Sequence, residues 1–336
     1  MKENADLNNW LKDDDRPISV DIYCLVYNHG AYLREALDGM LMQETDFPFR
    51  IIIHDDASTD DSIAIIREYE KRFPDKIISV IEEKNLYQSG GSIWKVMVPY
   101  FTAKYIASCE GDDYWTNSRK LQKQVEYLEE NLDCVAVYHN VLPVDENSQY
   151  DESLRGGYRL LDEGDYTDKE IEKFALKTQT ASLVRRNYFP WMSEQDKDFY
   201  ASVKCNGDEK NLILCGILGR VHYLPDVMAA HRRVFSNGAS WTARQNKLSD
   251  QERIVADYKR FLEKCRFYEY FSAKKVYRYN EIILMQLKYL KKCHNLNVNI
   301  CKGVPMYAYI AFVPELLYRS FRYGAKRIWC LLRNKE

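Results

Sequence analysis

The sequence predicts an α/β fold, a mostly parallel sheet flanked by helices. Two observations predict it. Short apolar runs alternate with stretches of helical periodicity from about residue 18 to residue 140. Three of those runs end in polar or acidic residues and turn at once into a helix, as strands do at the carboxyl edge of an open α/β sheet, where such sheets bind ligands.

Taken in order, the first strand is Ile18 to Val26, which ends in Tyr27-Asn28-His29-Gly30 and leads into a helix over 31–42. A strand over 50–54 closes in His54-Asp55-Asp56-Ala57-Ser58-Thr59-Asp60-Asp61 and precedes a helix over 61–72. Ser58, Thr59 and Asp60 read as helix caps, since their side chains satisfy free backbone N–H groups. Asp55 and Asp56, at the strand's end, have no such explanation. A strand over 77–81, a helix near 90–102 and a strand over 104–109 follow; Gly90-Gly91 reads as a turn. The helix over 117–130 places Leu121, Val125 and Leu128 on one face, and a strand over 134–139 comes next.

The most informative segment is Glu110-Gly111-Asp112-Asp113-Tyr114-Trp115, three carboxylates in four residues straight after an apolar run. Such a knot repels itself unless a cation offsets it. Carboxylate oxygens suit hard ions, so Mn²⁺ or Mg²⁺ arriving with substrate phosphates is one reading. A solvated acidic turn capping the next helix is the other.

The ordered set of strand-Tyr-Asn, strand-Asp-Asp-x-Ser-x-Asp and strand-Glu-Gly-Asp-Asp-Tyr-Trp resembles the inverting nucleotide-sugar glycosyltransferases of family 2, over about residues 17–240. The resemblance implies the A-type glycosyltransferase fold, a Rossmann-like sheet, here with a C-terminal helical appendage. It implies that Tyr27, Asn28, Asp55 and Asp56 surround the nucleoside of the donor. Glu110, Asp112 and Asp113 then occupy the DxD position, with Asp112 the main metal ligand and Glu110 and Asp113 beside the donor. Asn206-Gly207-Asp208-Glu209 occupies the position of the catalytic base, which takes the acceptor proton during an inverting attack. Asp208 is the chosen residue and Glu209 the substitute; a plain N-cap is the competing role. Tyr223-Leu224-Pro225-Asp226-Val227-Met228-Ala229 also resembles the family. After it, His231 stands where a tyrosine is common, and Val234 where a histidine is expected. His231 is therefore a candidate for the metal or diphosphate, with water as its replacement. Arg232 and Arg233 are candidates for the diphosphate, because a guanidinium binds phosphate oxygens as a fork. Phe235 to Trp241 reads as an active-site flap.

Composition agrees. The 336 residues, 46% of them hydrophobic, can bury a large domain plus an appendage, and a formal charge of −2 argues against bulk nucleic-acid binding. Nine scattered cysteines form no CxxC pair and read as reduced thiols of a cytoplasmic protein. Neither GxGxxG nor GxxxxGK[ST] occurs, against dinucleotide oxidoreductases and P-loop enzymes. The start shows no secretory h-region, and no run of about 18 apolar residues spans a bilayer.

Residues 141–177 read as loops with a short helix over 168–176, and Thr178 to Arg186 as a strand; the family resemblance implies that this strand, ending in Arg, lies under the sugar and acceptor site, and an ordinary edge strand is the other reading. The expected organisation is an N-terminal extension over 1–16, a catalytic domain over 17–241 and a helical region over 242–336, with helices over 251–266 and 271–292. In the tail, Arg319, Arg322, Lys326, Arg327, Arg333 and Lys335 are interleaved with Tyr318, Phe321, Tyr323, Ile328, Trp329 and Leu331. That pattern suits a helix lying on an anionic membrane surface, or a packed helix with a solvated basic face. The functional expectation is a metal-dependent, inverting transfer of a sugar from a nucleoside diphosphate, UDP above others, to a glycan or lipid-linked acceptor of surface-polysaccharide assembly at the inner face of the cell membrane. A metal-dependent nucleotidyltransferase and a noncatalytic sugar-nucleotide binding protein are the alternatives.

Overall fold

The computed structural model describes residues 14–155, 159–234, 248–274, 282–285 and 288. Its strands are β1 (Val20–Val26), β2 (Phe49–Asp55), β3 (Ile77–Ile81), β4 (Tyr105–Ser108), β5 (Tyr114–Trp115), β6 (Cys134–Val144), β7 (Gly164–Asp165), β8 (Val184–Arg186) and β9 (Arg220–Arg232). The helices that matter below are α1 (Leu33–Leu41), α2 (Ser62–Arg72), α3 (Leu86–Ser89), α4 (Ile93–Met97), α5 (Lys120–Glu130), α6 (Asp168–Glu172), α7 (Glu194–Ser202), α8 (Gly207–Leu218) and α9 (Asp250–Ser272).

The strands form one sheet in the order β3-β2-β1-β4-β8-β6-β9-β5, with β7 also on β9. The first four are mutually parallel, β8 is antiparallel to both neighbours, and β9 is parallel to β6. The carboxyl ends of β1, β2 and β4 therefore lie side by side. That adjacency brings the three polar strand ends of the sequence to one edge.

Both faces of the sheet are covered, which is why its strands read as continuous apolar runs rather than alternating ones. Val20, Ile22, Cys24 and Val26 of β1 face a core that includes Leu33, Leu37, Ile66 and Leu121, while Tyr23 faces a second core with Trp94, Phe189 and Leu212. Helix α5 buries Leu121, Val125 and Leu128, as its spacing predicts. Each such side chain contributes roughly 1.5–3 kcal/mol through burial. The six cysteines among the described residues are all free thiols.

Three expectations are corrected. The helix near 90–102 is two short helices, α3 and α4, plus a 3₁₀ turn at Val98–Tyr100, because Gly90 ends the first at φ 78°, a left-handed conformation that glycine adopts without steric cost. The stretch from Thr178 to Arg186 is strand only at β8, after a 3₁₀ turn at Thr180–Ser182. Nor is β8 an edge strand: it lies between β4 and β6, and Arg185 and Arg186 are buried. The strand expected over 134–139 runs on to Val144.

Helix α9 extends beyond its expected end at residue 266 to Ser272. Phe267 and Phe271 fill the same core as Tyr200 and Trp94, so this helix packs onto the sheet-bearing body. The flap from Phe235 to Trp241, residues 1–13 and the basic tail lie outside the described residues. No helix among the described residues is long and apolar enough to cross a membrane.

Candidate active site

The loops after β1 and β2 are stitched together by backbone donors of one and side chains of the other. Asn28 N donates to Ser58 Oγ at 2.9 Å, His29 N to Ser62 Oγ at 3.0 Å and Gly30 N to Asp60 Oδ2 at 2.8 Å. In return Asn28 Oδ1 accepts from Thr59 N at 2.8 Å. Asn28 sits at φ 55°, one of the few conformations in which asparagine replaces glycine readily. Ser58 thus joins the two loops, while Asp60 does both: its Oδ1 accepts from Ser62 N at 3.0 Å at the start of α2, as its reading as a cap expects.

Asp55 and Asp56 diverge in role. Asp55 is fully buried; Oδ1 accepts from Ser58 N at 2.8 Å, and Oδ2 is buried without a partner. Asp56 spends both oxygens on the start of α3, accepting from Leu86 N at 2.6 Å and Tyr87 N at 3.1 Å. Tyr27 Oη accepts from Gln88 Nε2 at 3.4 Å, so α3 leans over this end of the sheet.

The acidic turn hangs on β1. Cys109 N donates to Tyr23 O at 3.2 Å and Gly111 N to Leu25 O at 3.0 Å, which extends β4 pairing into the turn. Gly111 is required by close approach: a Cβ there would lie 2.8 Å from His29 Nδ1 and 3.0 Å from Val26 Cγ2. The imidazole fills that cradle and brings Nε2 to 3.7 Å from Asp112 Oδ2. Sequence reading missed His29, although its place after Tyr27-Asn28 at a strand end is a usable signal. Glu110 is held well above the ordinary carboxylate range, first by burial and then by the charges of Asp112, Asp113 and Asp208. The acids of the turn and Asp208 on α8 therefore share one electrostatic neighbourhood.

Asp113 and Arg232 are structural in this arrangement. Asp113, buried, accepts from Arg232 N at 2.9 Å and faces His231 Nδ1 at 3.1 Å, which ties the turn to the end of β9. The expected diphosphate contact of Arg232 does not fit its surroundings, since every guanidinium nitrogen is engaged. Nε donates to Asp112 O at 2.9 Å, Nη1 to Ser148 Oγ at 2.9 Å and Nη2 to Glu35 Oε2 at 2.6 Å, between the rings of Tyr32 and Tyr114. Arg233 donates its backbone N–H to Val144 O at 2.9 Å. Replacing Arg232 with Met should strand Glu35 and free the acidic turn, lowering stability in urea unfolding by about 2–3 kcal/mol, the scale of a partly exposed ion pair broken from its buried side.

Helix α8 brings the candidate base into place. Its N-cap is Asn206 in a capping box with Glu209, so the N-cap is not Asp208, whose Oδ1 accepts from Glu209 N at 2.7 Å. Glu209 Oε2 accepts from Asn206 N at 3.2 Å and Oε1 pairs with Lys264 Nζ at 3.0 Å. Asp208 is pushed up to about 6, mainly by burial and then by the Glu209 charge, with Lys264 and Arg260 pulling the other way. A carboxylate with that affinity for protons suits proton abstraction near neutral pH.

Among the described residues, no three His, Cys, Asp or Glu side chains converge into a complete metal cage. Asp112 with His29 beside it fits a different mode, in which one carboxylate, waters and substrate phosphates hold Mg²⁺ or Mn²⁺.

Comparison with known proteins shows the family and the fold. An uncharacterized protein of Mycobacterium tuberculosis is 39% identical over 221 residues, 64% of this chain and 58% of that protein's length. An uncharacterized glycosyltransferase of Nostoc sp. is 30% identical over 138 residues, 41% of each chain. The present chain thus spans less than two thirds of these relatives. S. aureus TarS 1-349, solved in complex with UDP-GlcNAc, shares the fold with a TM-score of 0.53 at 16% identity, covering 87% of this chain and 83% of that one. The family described as glycosyl transferase family 2 matches residues 21–190, a span that holds the strand ends carrying Tyr27, Asp55 and Asp112, and at half its length the chain belongs to that family.

Proposed function

We propose that the protein transfers a sugar, with inversion, from a nucleoside-diphosphate donor to a hydroxyl of a glycan or lipid-linked acceptor. The observation that supports this reading best is the single sheet edge that gathers Tyr27, Asp55 and the acidic turn, to which α8 with Asp208 is tied by Asn211 Nδ2 donating to Tyr23 Oη at 3.3 Å. Asp208 takes the acceptor proton as its oxygen bonds to the anomeric carbon; the bond from that carbon to the diphosphate oxygen breaks, and the nucleoside diphosphate leaves. Asp55, with one buried oxygen unpartnered, is placed for the nucleoside, together with Tyr27 and Asn28. Asp112 holds the divalent ion, which when bound offsets charge on the departing diphosphate. His231, backed by Asp113, stands as its second candidate ligand, and Arg233 as the remaining guanidinium for the diphosphate. A UDP-linked sugar is our assignment for the donor. TarS, of the same fold, was solved with UDP-GlcNAc.

The test is product analysis with a panel of nucleotide sugars and Mn²⁺. Released nucleoside diphosphate and a glycoside of inverted configuration are expected. Pyrophosphate would mark a nucleotidyltransferase, and binding without turnover a noncatalytic sugar-nucleotide protein. We place the reaction in surface-polysaccharide assembly at a cytoplasmic membrane face, on the strength of the cations from Arg319 to Lys335. Each adds on the order of 1 kcal/mol near an anionic surface. Deleting residues 304–336 should abolish sedimentation with anionic liposomes at low salt and spare donor hydrolysis; equal sedimentation would assign the tail to packing.

A further inference from the structure

Among the described residues, Arg185 is a buried cation with no carboxylate partner. It is fully excluded from solvent, and its guanidinium lies over the Tyr188 ring at 4.0 Å and the Phe189 ring at 5.0 Å. Nη1 donates to Arg186 O at 3.0 Å and Nε to Asn211 Oδ1 at 3.1 Å, while Nη2 is buried with no partner. Its charged neighbours are no anions at all: Tyr188, Tyr200, Tyr23 and Cys215 face it, each held protonated by burial. An unpaired buried charge is costly, and a methionine of similar length would avoid the cost.

Asn211 shows where it acts. This residue, also fully buried, lies three positions after Asp208 on α8, on the same side of the helix. Its Oδ1 accepts from Arg185 and from Tyr188 Oη at 3.1 Å, and its Nδ2 donates to Tyr23 Oη at 3.3 Å. Tyr23 belongs to β1, and its carbonyl receives Cys109 N, the first link of the acidic turn. One amide thus joins the helix of the candidate base to β1, the strand to which the acidic turn is hydrogen-bonded.

We propose that Arg185 is a positioning residue: through Asn211 it fixes the first turn of α8, and hence Asp208, against the acidic turn. This inference rests on Asp208 being the base. Around Asp208 the other titratable groups are Glu209 on its own helix, Cys205 just before that helix, Lys264 and Arg260 on α9, Glu110 on the turn and Tyr138 on β6. None of them would change in the variants below.

The test uses Arg185→Met, Arg185→Lys and Asn211→Asp in the full chain, with kcat, donor KM, UDP affinity, urea unfolding and the pH profile measured together. Asn211→Asp gives Arg185 the anion it lacks, so a purely structural role predicts a more stable protein with unchanged turnover. The positioning role predicts instead that Asn211→Asp lowers kcat tenfold or more despite equal or greater stability. Its acid limb should rise by at least half a pH unit, because a second carboxylate then sits one turn from Asp208. Arg185→Met should lower kcat tenfold or more with UDP affinity within twofold, and Arg185→Lys should recover stability without recovering kcat. A fully active Asn211→Asp with an unmoved limb overturns the proposal, even if Arg185→Met fails to fold. Loss of kcat in step with UDP affinity and stability in all three overturns it too. If Asp208→Asn itself is fully active, the base assignment falls, and that result is separate from any of these.

Discussion

Asp208→Asn is expected to lower kcat by roughly 10²-fold or more, the scale of a lost general base, and to leave donor affinity nearly unchanged. The substitution keeps volume and removes one proton acceptor. Glu209→Gln is the internal control. Both Glu209 oxygens are committed, to Asn206 N and to Lys264, so its loss should cost stability more than turnover. A larger kcat defect in Glu209→Gln than in Asp208→Asn would move the base by one residue.

The pH profile gives the same residue a second reading. Burial, then the Glu209 charge, lifts the Asp208 carboxyl from 3.8 to about 6. The base must be ionised, so kcat/KM should rise with pH through about 6 and level off above it, and Asp208→Asn should erase that limb. Linkage fixes the sign for stability. A folded-state pKa above the unfolded one gives a contribution that is present below about 4 and lost as pH rises through about 6. The ionised Asp208 is thus a burden on the fold at pH 8, and the Asn variant should melt no lower than the parent there. A clearly lower Tm would mean that Asp208 is held by favourable contacts and serves structure rather than chemistry.

Why some of this was legible in sequence and some not has a physical basis. The runs at Ile51 to Ile53 and Ile106 to Ala107 face cores on both sides, and a strand buried on both faces is apolar throughout. The acidic ends of such strands stand out against that background, so Asp55 and Asp112 could be picked out by position, and Asp208 by its place in the first turn of α8. What failed depends on contacts far apart in the chain. Arg232 looked like a free guanidinium because nothing local announces Glu35, 197 residues away, as its partner. Asp113 reads as one more acid of a metal turn, yet it bonds across 119 residues to the backbone of Arg232. His29 was hidden for the opposite reason: its ring is placed by an absent side chain, that of Gly111. Thr178 to Ser182 alternate like a strand, but Ser182 Oγ turns back to Gln179 O at 2.6 Å and makes a 3₁₀ turn.

Asp112→Asn should abolish turnover and divalent-ion-dependent donor binding while the fold persists. Of the three acids, Glu110 is half-buried and disfavours ionisation, and Asp113 is bound to Arg232 N and His231. Asp112 alone presents a carboxylate whose neighbour, His29, is 3.7 Å away and leaves room for an ion. Its backbone is fixed independently of its side chain, through Arg232 Nε to the Asp112 carbonyl at 2.9 Å, so the amide variant should keep the turn's shape. Removing one formal charge from a site that a hard cation shares with a diphosphate weakens the ion most, since such ions choose anionic oxygens over neutral ones. Calorimetric titration of UDP in the presence and absence of Mn²⁺ separates the contributions. The parent should bind UDP tightly only with the ion, whereas Asp112→Asn should bind weakly and equally in both conditions. Parent activity that survives excess chelator, or an Asp112→Asn protein with Mn²⁺-enhanced UDP binding, would remove Asp112 from the metal and return the acidic turn to a structural part.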